Sequence, residues 1–77
     1  MEVKLPFIAK DVYEGTISLW LVDEGDEVAE GDELVEITTS KAAFKLPAPV
    51  SGRLVEIVAQ EGQIVKVGET LAIIEEE

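Results

Sequence analysis

Apolar residues in this chain occur in short runs that glycine and proline interrupt every few positions. Valine, isoleucine and leucine dominate these runs, and no stretch keeps the 3.6-residue spacing of a capped amphipathic helix. Such runs between glycine or proline turns are typical of strands, so the pattern predicts an all-β chain without a helix of consequence. The predicted strands are 2–6, 14–22, 33–39, 43–47, 51–59 and 70–75, with short extended segments at 27–29 and 64–66.

The two halves of the chain resemble one another when the sequence is shifted by 37 positions. Seven of the 23 aligned positions are then identical, and an internal repeat of this kind predicts two similar structural units. The same shift places Lys4 and Phe7 on Lys41 and Phe44, so the repeat is expected to extend upstream. The identities are Gly15, Glu24, Gly25, Val28, Gly31, Leu34 and Ile37, which fall on Gly52, Glu61, Gly62, Val65, Gly68, Leu71 and Ile74.

The repeat predicts two similar four-stranded sheets packed face to face about a pseudo-twofold axis. Positions that are apolar in both copies are expected to form the core between the sheets. The step from Ile17 to Trp20 does not fit a strict alternation, and a β-bulge in each copy would explain it. The predicted core pairs are Ile17/Leu54, Trp20/Ile57, Leu21/Val58, Val22/Ala59, Val28/Val65, Leu34/Leu71, Val35/Ala72 and Ile37/Ile74.

Glycines at equivalent places in the two halves indicate tight turns. Gly25 and Gly62 each follow a glutamate in a polar segment and are expected to hold a positive φ. Gly31 and Gly68 repeat this arrangement six residues later. Neither a Walker pattern nor a G-x-G-x-x-G pattern occurs, so turn formation is favoured over phosphate binding.

Composition narrows the possible functions. At 77 residues the chain is expected to form one domain, 1–77, and its 17 acidic against 6 basic residues give a net charge of −11. Such a surface repels nucleic acid and anionic lipid. The absence of cysteine and histidine excludes disulfides, thiolate zinc sites and Ser-His catalysis. Together with the lack of a long apolar run, this predicts a cytoplasmic domain without nucleic-acid or membrane partners. The domain itself is expected to be monomeric.

Eight acidic residues lie between Asp23 and Glu36, and they raise the question of a calcium site. An EF-hand loop places acids at alternate positions before a glycine at its sixth position, and this spacing does not occur here. A solvated acidic edge that opposes strand association is favoured instead. No metal site is therefore predicted.

Lys41 is the candidate for chemistry. The strands on either side leave residues 39–42 as a tight hairpin turn with Lys41 at its tip. A lysine there is well presented to another enzyme but poorly placed for catalysis of its own, so the domain is predicted to be non-catalytic. An exposed amine needs an activated partner such as an acyl-adenylate before it forms an amide. The alternative is a solvated surface charge without a function.

A series of short segments runs through the chain: Val3-Lys4-Leu5-Pro6, Glu14-Gly15-Thr16-Ile17, Trp20-Leu21-Val22, Glu24-Gly25-Asp26, Ser40-Lys41-Ala42, Ala48-Pro49-Val50-Ser51-Gly52 and Glu61-Gly62, followed by Val65, Gly68 and Leu71. These segments resemble the lipoyl domains of 2-oxo acid dehydrogenase complexes, and more broadly the biotinyl/lipoyl-attachment family. The resemblance implies a barrel-sandwich hybrid, a flattened barrel that displays a lysine on a hairpin turn. The likeness covers essentially the whole chain, and the order and spacing of its segments make it specific.

The resemblance implies that Lys41 bears lipoic acid as an amide and that the domain carries acyl groups and electrons. The implied partners are a lipoylating enzyme, a thiamine-dependent 2-oxo acid decarboxylase, an acyltransferase core and dihydrolipoamide dehydrogenase, and the domain would be part or partner of a dihydrolipoamide acyltransferase. Thr38, Thr39, Ser40 and Ala42 would form the recognition turn, and Gly25, Gly52 and Gly62 would be structural turn or packing glycines.

This chain departs from the usual lipoyl pattern near the lysine. The family commonly has Asp-Lys-Ala with a glutamate three places before the lysine, whereas Ser40 and Thr38 occupy those acidic positions here. A surface loop near the lysine commonly reads Gly-Glu-Gly, and here it reads Ala9-Lys10-Asp11. Two alternatives stay open. One is a biotinyl carrier, although the methionines that flank its lysine are missing, and the other is an unmodified docking or structural module of the same fold.

Overall fold

The computed structural model describes residues 1–8 and 10–76, and within these residues all regular structure is β-strand. The all-β prediction is therefore confirmed, and every predicted strand is present with bounds shifted by a few residues at most. The strands are β1 Glu2–Lys4, β2 Glu14–Trp20, β3 Glu27–Val28, β4 Glu33–Thr38, β5 Ala43–Pro47, β6 Gly52–Ile57, β7 Ile64–Lys66 and β8 Thr70–Glu76.

The strands form two antiparallel four-stranded sheets, as the repeat predicts. Sheet I has the order β1-β8-β6-β3, and sheet II has the order β5-β4-β2-β7. Exchanging β1 with β5, β2 with β6, β3 with β7 and β4 with β8 converts one order into the other. The pseudo-twofold relation therefore exchanges the two sheets, and each sheet contains strands from both halves of the chain.

Turns of each half are bonded to strands of the other half. The Gly25 amide donates to the Leu54 carbonyl at 2.6 Å, and the Gly62 amide donates to the Ile17 carbonyl at 2.7 Å. Because 25 and 62, like 17 and 54, are related by the 37-residue shift, these two hydrogen bonds are the same bond in both copies. The halves are thus interlocked and do not form two separate subdomains.

The upstream extension of the repeat is wrong, because β1 matches β5 at a shift of 43 residues. Leu5 and Ala48 occupy equivalent positions, because each makes the same two hydrogen bonds to a turn. The amide of each donates to a turn carbonyl, and the carbonyl of each accepts from the glycine that directly precedes that turn residue. Six more residues separate Leu5 from Gly15 than separate Ala48 from Gly52, which changes the shift. The bonds are Leu5 N to Glu69 O, Gly68 N to Leu5 O, Ala48 N to Asp32 O and Gly31 N to Ala48 O, at 2.7–3.1 Å.

The predicted bulges are present in both copies. The β2–β4 pairing shifts register between Ile17 and Leu19, and the β6–β8 pairing shifts register between Leu54 and Glu56. These positions are again related by 37 residues. The bulge lets both Ile17 and Trp20 face inward, because the extra residue changes the phase of the side-chain alternation.

The core lies between the sheets, and most predicted pairs contribute to it. Leu21 and Val58 do not, since they are 40% and 44% exposed. Leu21 lies between Trp20 and Val22, which pack against the core, so strand alternation turns Leu21 outward. The core residues are Val3, Leu5, Ile17, Val28, Leu34, Val35, Ile37, Leu46, Ala48, Leu54, Ala59, Val65, Leu71, Ala72 and Ile74.

The three predicted structural glycines have two different reasons to be glycine. Gly25 and Gly62 hold φ values of 94° and 87°, as predicted for turns. Gly52 is not in a turn, because it is the buried first residue of β6. A Cβ at this position would lie 2.1 Å from the backbone carbonyl oxygen of Glu75 on β8. Gly52 is therefore a packing glycine that permits the close approach of two strands.

Candidate functional site

The hairpin that joins β4 to β5 presents Lys41. Thr38 and Ala43 form the last strand pair, and the chain reverses through residues 39–42. The Thr39 amide donates to the Ala42 carbonyl at 2.8 Å, which closes the turn. The structure therefore has Lys41 in a tight turn between these two strands, where the sequence predicts it.

The Thr39 hydroxyl orders this turn from within. Its Oγ1 donates to the Ala42 carbonyl at 2.8 Å and accepts from the amides of Ala42 and Lys41 at 3.1 and 3.3 Å. Side chains of threonine and serine often stabilise turns in this way. The amides of Lys41 and Ala42, which have no partner in the β4–β5 pairing, thus find an acceptor in the Thr39 hydroxyl. The backbone beneath Lys41 is fixed while its side chain extends into solvent.

The Lys41 amine is exposed and pairs with no carboxylate of residues 1–8 and 10–76. Its Nζ donates to the backbone carbonyl of Lys10 at 3.2 Å. Among residues 1–8 and 10–76, the ion pair found within 4 Å joins Lys4 to Glu2, at 3.7 Å, and Lys41 takes no part in it. The nitrogen is therefore accessible to an incoming reagent without the loss of a salt bridge.

The loop between β1 and β2 lies beside the lysine, as the resemblance implies. Lys10 supplies the carbonyl that accepts from Lys41, and Asp11 follows with a positive φ of 69°. The loop is held at both ends, because Leu5 and Val12 are buried. Ala9, the first residue of the predicted Ala9-Lys10-Asp11 loop, lies outside the described residues. The longer of the two equivalent connections thus places the Lys10 carbonyl next to Lys41.

Thr38 and Ser40, where lipoyl domains commonly have acids, are both exposed. Thr38 is the last residue of β4, and its hydroxyl is hydrogen-bonded to the hydroxyl of Ser18 on β2 at 2.5 Å. Ser18 is missing from the predicted site, because it lies in the bulge, where strand alternation does not tell which way a side chain points. The Lys10 carbonyl is also missing from it, since a backbone atom leaves no signal in sequence.

The acidic segment and Trp20, the other candidate features of the sequence, lie apart from the Lys41 turn. In the described part of the chain, no three His, Cys, Asp or Glu side chains come together as a group that could hold a metal ion. Trp20 lies at the rim of the core, where its Nε1 donates to the Ala59 carbonyl at 2.8 Å. No helix in the described residues could span a membrane.

Comparisons with known proteins identify the family to which this chain belongs. A family model described as "Biotin-requiring enzyme", of biotin and lipoyl attachment domains, matches residues 1–74. The solved lipoyl domain of the 2-oxoglutarate dehydrogenase complex from Azotobacter vinelandii is 30% identical, with a TM-score of 0.80 over 99% of this chain and 96% of that one. The chain belongs to the biotin/lipoyl-attachment family, as one of its lipoyl domains. The family resemblance and the barrel-sandwich fold are thereby confirmed.

Two longer proteins contain a similar domain. The acetyltransferase component of the pyruvate dehydrogenase complex of Bacillus subtilis is 41% identical over 70 residues, which are 91% of this chain and 16% of that protein. A single-chain, multi-domain long-chain acyl-CoA carboxylase is 25% identical, with a TM-score of 0.78 over 100% of this chain and 7% of that one. The chain thus spans about a sixth of the acetyltransferase relative. Lipoyl domains of this family are carriers that hold lipoic acid covalently on a lysine.

Proposed function

We propose that Lys41 is the lysine that bears lipoic acid in this domain. The observation that carries the proposal is the exposed Nζ in the β4–β5 turn, which donates to a backbone carbonyl and, in the part of the chain that the structure describes, pairs with no carboxylate. The site fits the group, because the Thr39 hydroxyl fixes the turn backbone while the lysine side chain stays exposed. Lys45 lies within β5 and so lacks this presentation.

Attachment requires an activated acyl donor. A lysine amine in water is protonated at neutral pH, so it must lose one proton before its nitrogen can attack. With an acyl-adenylate as donor, the Nζ–C bond forms, the C–O bond to the adenylate breaks, and a second proton leaves the nitrogen. The donor and the catalytic groups belong to a separate lipoylating enzyme, and this domain supplies the nucleophile in a fixed turn. Once attached, lipoic acid supplies a disulfide that takes up acyl groups and electrons.

We also propose the larger context of the domain. Its acyltransferase relatives support a place in the acyltransferase component of a 2-oxo acid dehydrogenase complex. The partners would then be the lipoylating enzyme, a thiamine-dependent decarboxylase, the acyltransferase core and dihydrolipoamide dehydrogenase. Residues 1–77 would form one monomeric domain. A cytoplasmic location agrees with the absence of cysteine.

Biotin is the second candidate for the group on Lys41. The description of the matching family and the similarity to an acyl-CoA carboxylase favour it. The segment Thr39-Ser40-Lys41-Ala42 lacks the methionines that flank a biotinylated lysine, so lipoic acid ranks first. The intact mass of the chain purified from its own host distinguishes a lipoyl group, a biotinyl group and an unmodified lysine.

The proposal is tested by replacing the lysine while keeping its charge. We expect Lys41→Arg to abolish lipoylation, because guanidinium stays protonated and does not form the amide. The free energy of unfolding should change by no more than about 0.5 kcal/mol, since the exposed side chain buries little area. The measurement is intact mass after incubation with a lipoylating enzyme, lipoic acid and ATP, together with a urea titration.

Lys45→Arg is the matched control, because it makes the same replacement four residues further on and should leave one lipoyl group per chain. Two outcomes contradict the proposal. One is lipoylation that persists in Lys41→Arg, and the other is unfolding of that variant, which would make Lys41 a structural residue.

A further inference from the structure

The row of residues that borders the Lys41 turn on sheet II carries no charge. Ala43, Thr38, Thr16 and Ile64 are direct strand partners across β5, β4, β2 and β7. Their outward direction follows from alternation, because the adjacent strand residues Ile37, Ile17 and Val65 are buried. Thr38, Ala43 and Ile64 are exposed, and Thr16 is half-buried. We call these four residues the neutral row.

The pseudo-equivalent row of sheet I is charged at every position. Glu75, Arg53 and Glu27 are direct partners across β8, β6 and β3, and all three are exposed. The 37-residue relation matches them to Thr38, Thr16 and Ile64 in that order. We call these three residues the charged row. The same position in the same scaffold is therefore charged on one sheet and uncharged on the other, in a chain with a net charge of −11.

Burying an uncharged row under a partner costs less desolvation free energy than burying a charged one. The buried centre of a protein interface is accordingly depleted of charged residues. Burying an ion without a partner costs far more than burying a hydroxyl that is already hydrogen-bonded. The hydroxyl of Thr38 is bonded to that of Ser18. Ile64 is 60% exposed, and removing its apolar surface from water would favour binding. The neutral row spans three strand spacings, about 14 Å.

We infer that the neutral row is a docking surface for the enzyme that acylates Lys41, which rests on the function proposed above. That enzyme must bring its active site to Nζ itself, so it contacts the turn directly. A specific interface buries about 800 Å² on each partner, more than a four-residue turn supplies. Contact therefore spreads to the adjoining surface. The neutral row is continuous with the turn, because Thr38 and Ala43 flank residues 39–42.

The test transfers the charged row onto sheet II. In Thr16→Arg with Ile64→Glu, the pair Arg53 and Glu27 is copied to the equivalent strand positions, and the net charge of the chain stays the same. The matched control, Arg53→Thr with Glu27→Ile, copies the neutral pair onto sheet I, also without a change in net charge. The net charge, which governs long-range steering between domain and enzyme, is thus equal in both variants. Neither variant alters Lys41 or the residues of its turn.

We expect the transfer variant to lower kcat/KM for lipoylation by about tenfold, and the control to change it by less than about twofold. The loss should lie mainly in KM for the domain, because the row contributes binding and takes no part in the chemical step. The rates come from intact-mass time courses at limiting lipoylating enzyme, with the domain concentration varied. Thermal unfolding followed by circular dichroism shows that each variant is folded.

Three results would overturn the inference: equal rates for parent and transfer variant, an equal loss in the transfer variant and the control, or a loss confined to kcat. Should the double variant fail to fold, Ile64→Glu alone decides, since Ile64 is exposed on an edge strand and Glu27 occupies the equivalent position on the other edge strand. It should still raise KM severalfold. A parent domain that gains no lipoyl group at all would instead refute the proposed role of Lys41.

Discussion

The two halves of the molecule, residues 1–38 and 43–76, differ where they are joined and agree almost everywhere else. Residues 39–42 connect β4 to β5 in a covalent turn that carries Lys41. The equivalent strands β8 and β1 lie side by side, with Met1 and Ile74 hydrogen-bonded to one another in both directions. The turn glycines, the bulges and the buried positions recur in both halves. The loop beside the lysine and the charge of the outer faces do not.

This contrast separates the residues that the fold requires from those free to serve function. Burial and backbone geometry impose the same demand at both equivalent positions, so Leu34 and Leu71, or Gly25 and Gly62, are identical. An exposed position is under no such demand. Divergence between equivalent exposed positions, as at Thr16 and Arg53, is therefore the more informative signal of a site.

The largest effect on stability should come from Gly52→Ala. A Cβ at Gly52 meets the backbone carbonyl oxygen of Glu75 at 2.1 Å, and this atom cannot move without disturbing the β6–β8 pairing. We expect a loss of about 3 kcal/mol or more in the free energy of unfolding, measured by urea titration. For the equivalent Gly15→Ala the nearest atom is the Cγ2 of Ile37 at 2.6 Å, which lies farther away and belongs to a side chain and not to the paired backbone.

The Gly15→Ala variant should therefore lose less, about 1–2 kcal/mol. Equal losses of unfolding free energy in the two variants would mean that β2 and β6 are packed equally tightly. That result would contradict the difference between the Cβ distances at these two glycines.

Much of this architecture could be predicted from the sequence because the 37-residue repeat constrains each half by the other. Two copies of one apolar pattern predict two sheets and the phase change at Ile17. The repeat failed upstream, since Lys4 and Phe7 match Lys41 and Phe44 by coincidence while six extra residues shift β1 against β5. The shared apolar pattern wrongly placed Leu21 and Val58 in the core, because after the bulge strand alternation turns Leu21 outward between Trp20 and Val22.

The candidate site could be predicted only as far as the turn. Strands on both sides of residues 39–42 place Lys41 at the tip by chain connectivity alone. The hydrogen bond from Lys41 to the Lys10 carbonyl depends on how the β1–β2 loop folds back toward the turn. The hydrogen bond between Ser18 and Thr38 depends on the bulge in β2. Neither has a pattern of spacing in the sequence, so both needed the three-dimensional structure.

A smaller effect is expected from the turn glycines, and here the halves should agree. A Cβ at Gly25 or Gly62 meets no atom within 4 Å, so the cost of substitution comes from the positive φ alone. Gly25→Val and Gly62→Val should each lose about 1–3 kcal/mol, because a β-branched residue is strained in this region. Urea titrations should give values within about 0.5 kcal/mol of each other.

Asparagine tolerates this backbone conformation, so Gly25→Asn and Gly62→Asn are the controls and should cost clearly less than valine. A loss that is as large with asparagine as with valine would point to a contact of the side chain and not to φ.

The smallest effect should come from two exposed glutamates that connect the halves. Glu24 accepts from the Ile57 amide at 2.7 Å, and Glu61 accepts from the Trp20 amide at 2.9 Å, each through Oε2. The two bonds are related by the 37-residue shift, and each ties the turn of one half to the strand end of the other. Glu24→Ala and Glu61→Ala should each lower the free energy of unfolding by about 1 kcal/mol, as expected for single hydrogen bonds near water. Gln in place of either Glu keeps an acceptor oxygen and should recover most of the loss.

Because the two bonds share no residue, the double alanine variant should lose the sum of the single losses to within about 0.5 kcal/mol. Trp20 fluorescence distinguishes the halves, since Glu61→Ala frees the Trp20 amide and should change the emission of the folded state, whereas Glu24→Ala should leave it unchanged. The same spectral change in both variants, or a double loss well above the sum, would show that these glutamates act through one shared contact and not as two copies of one device.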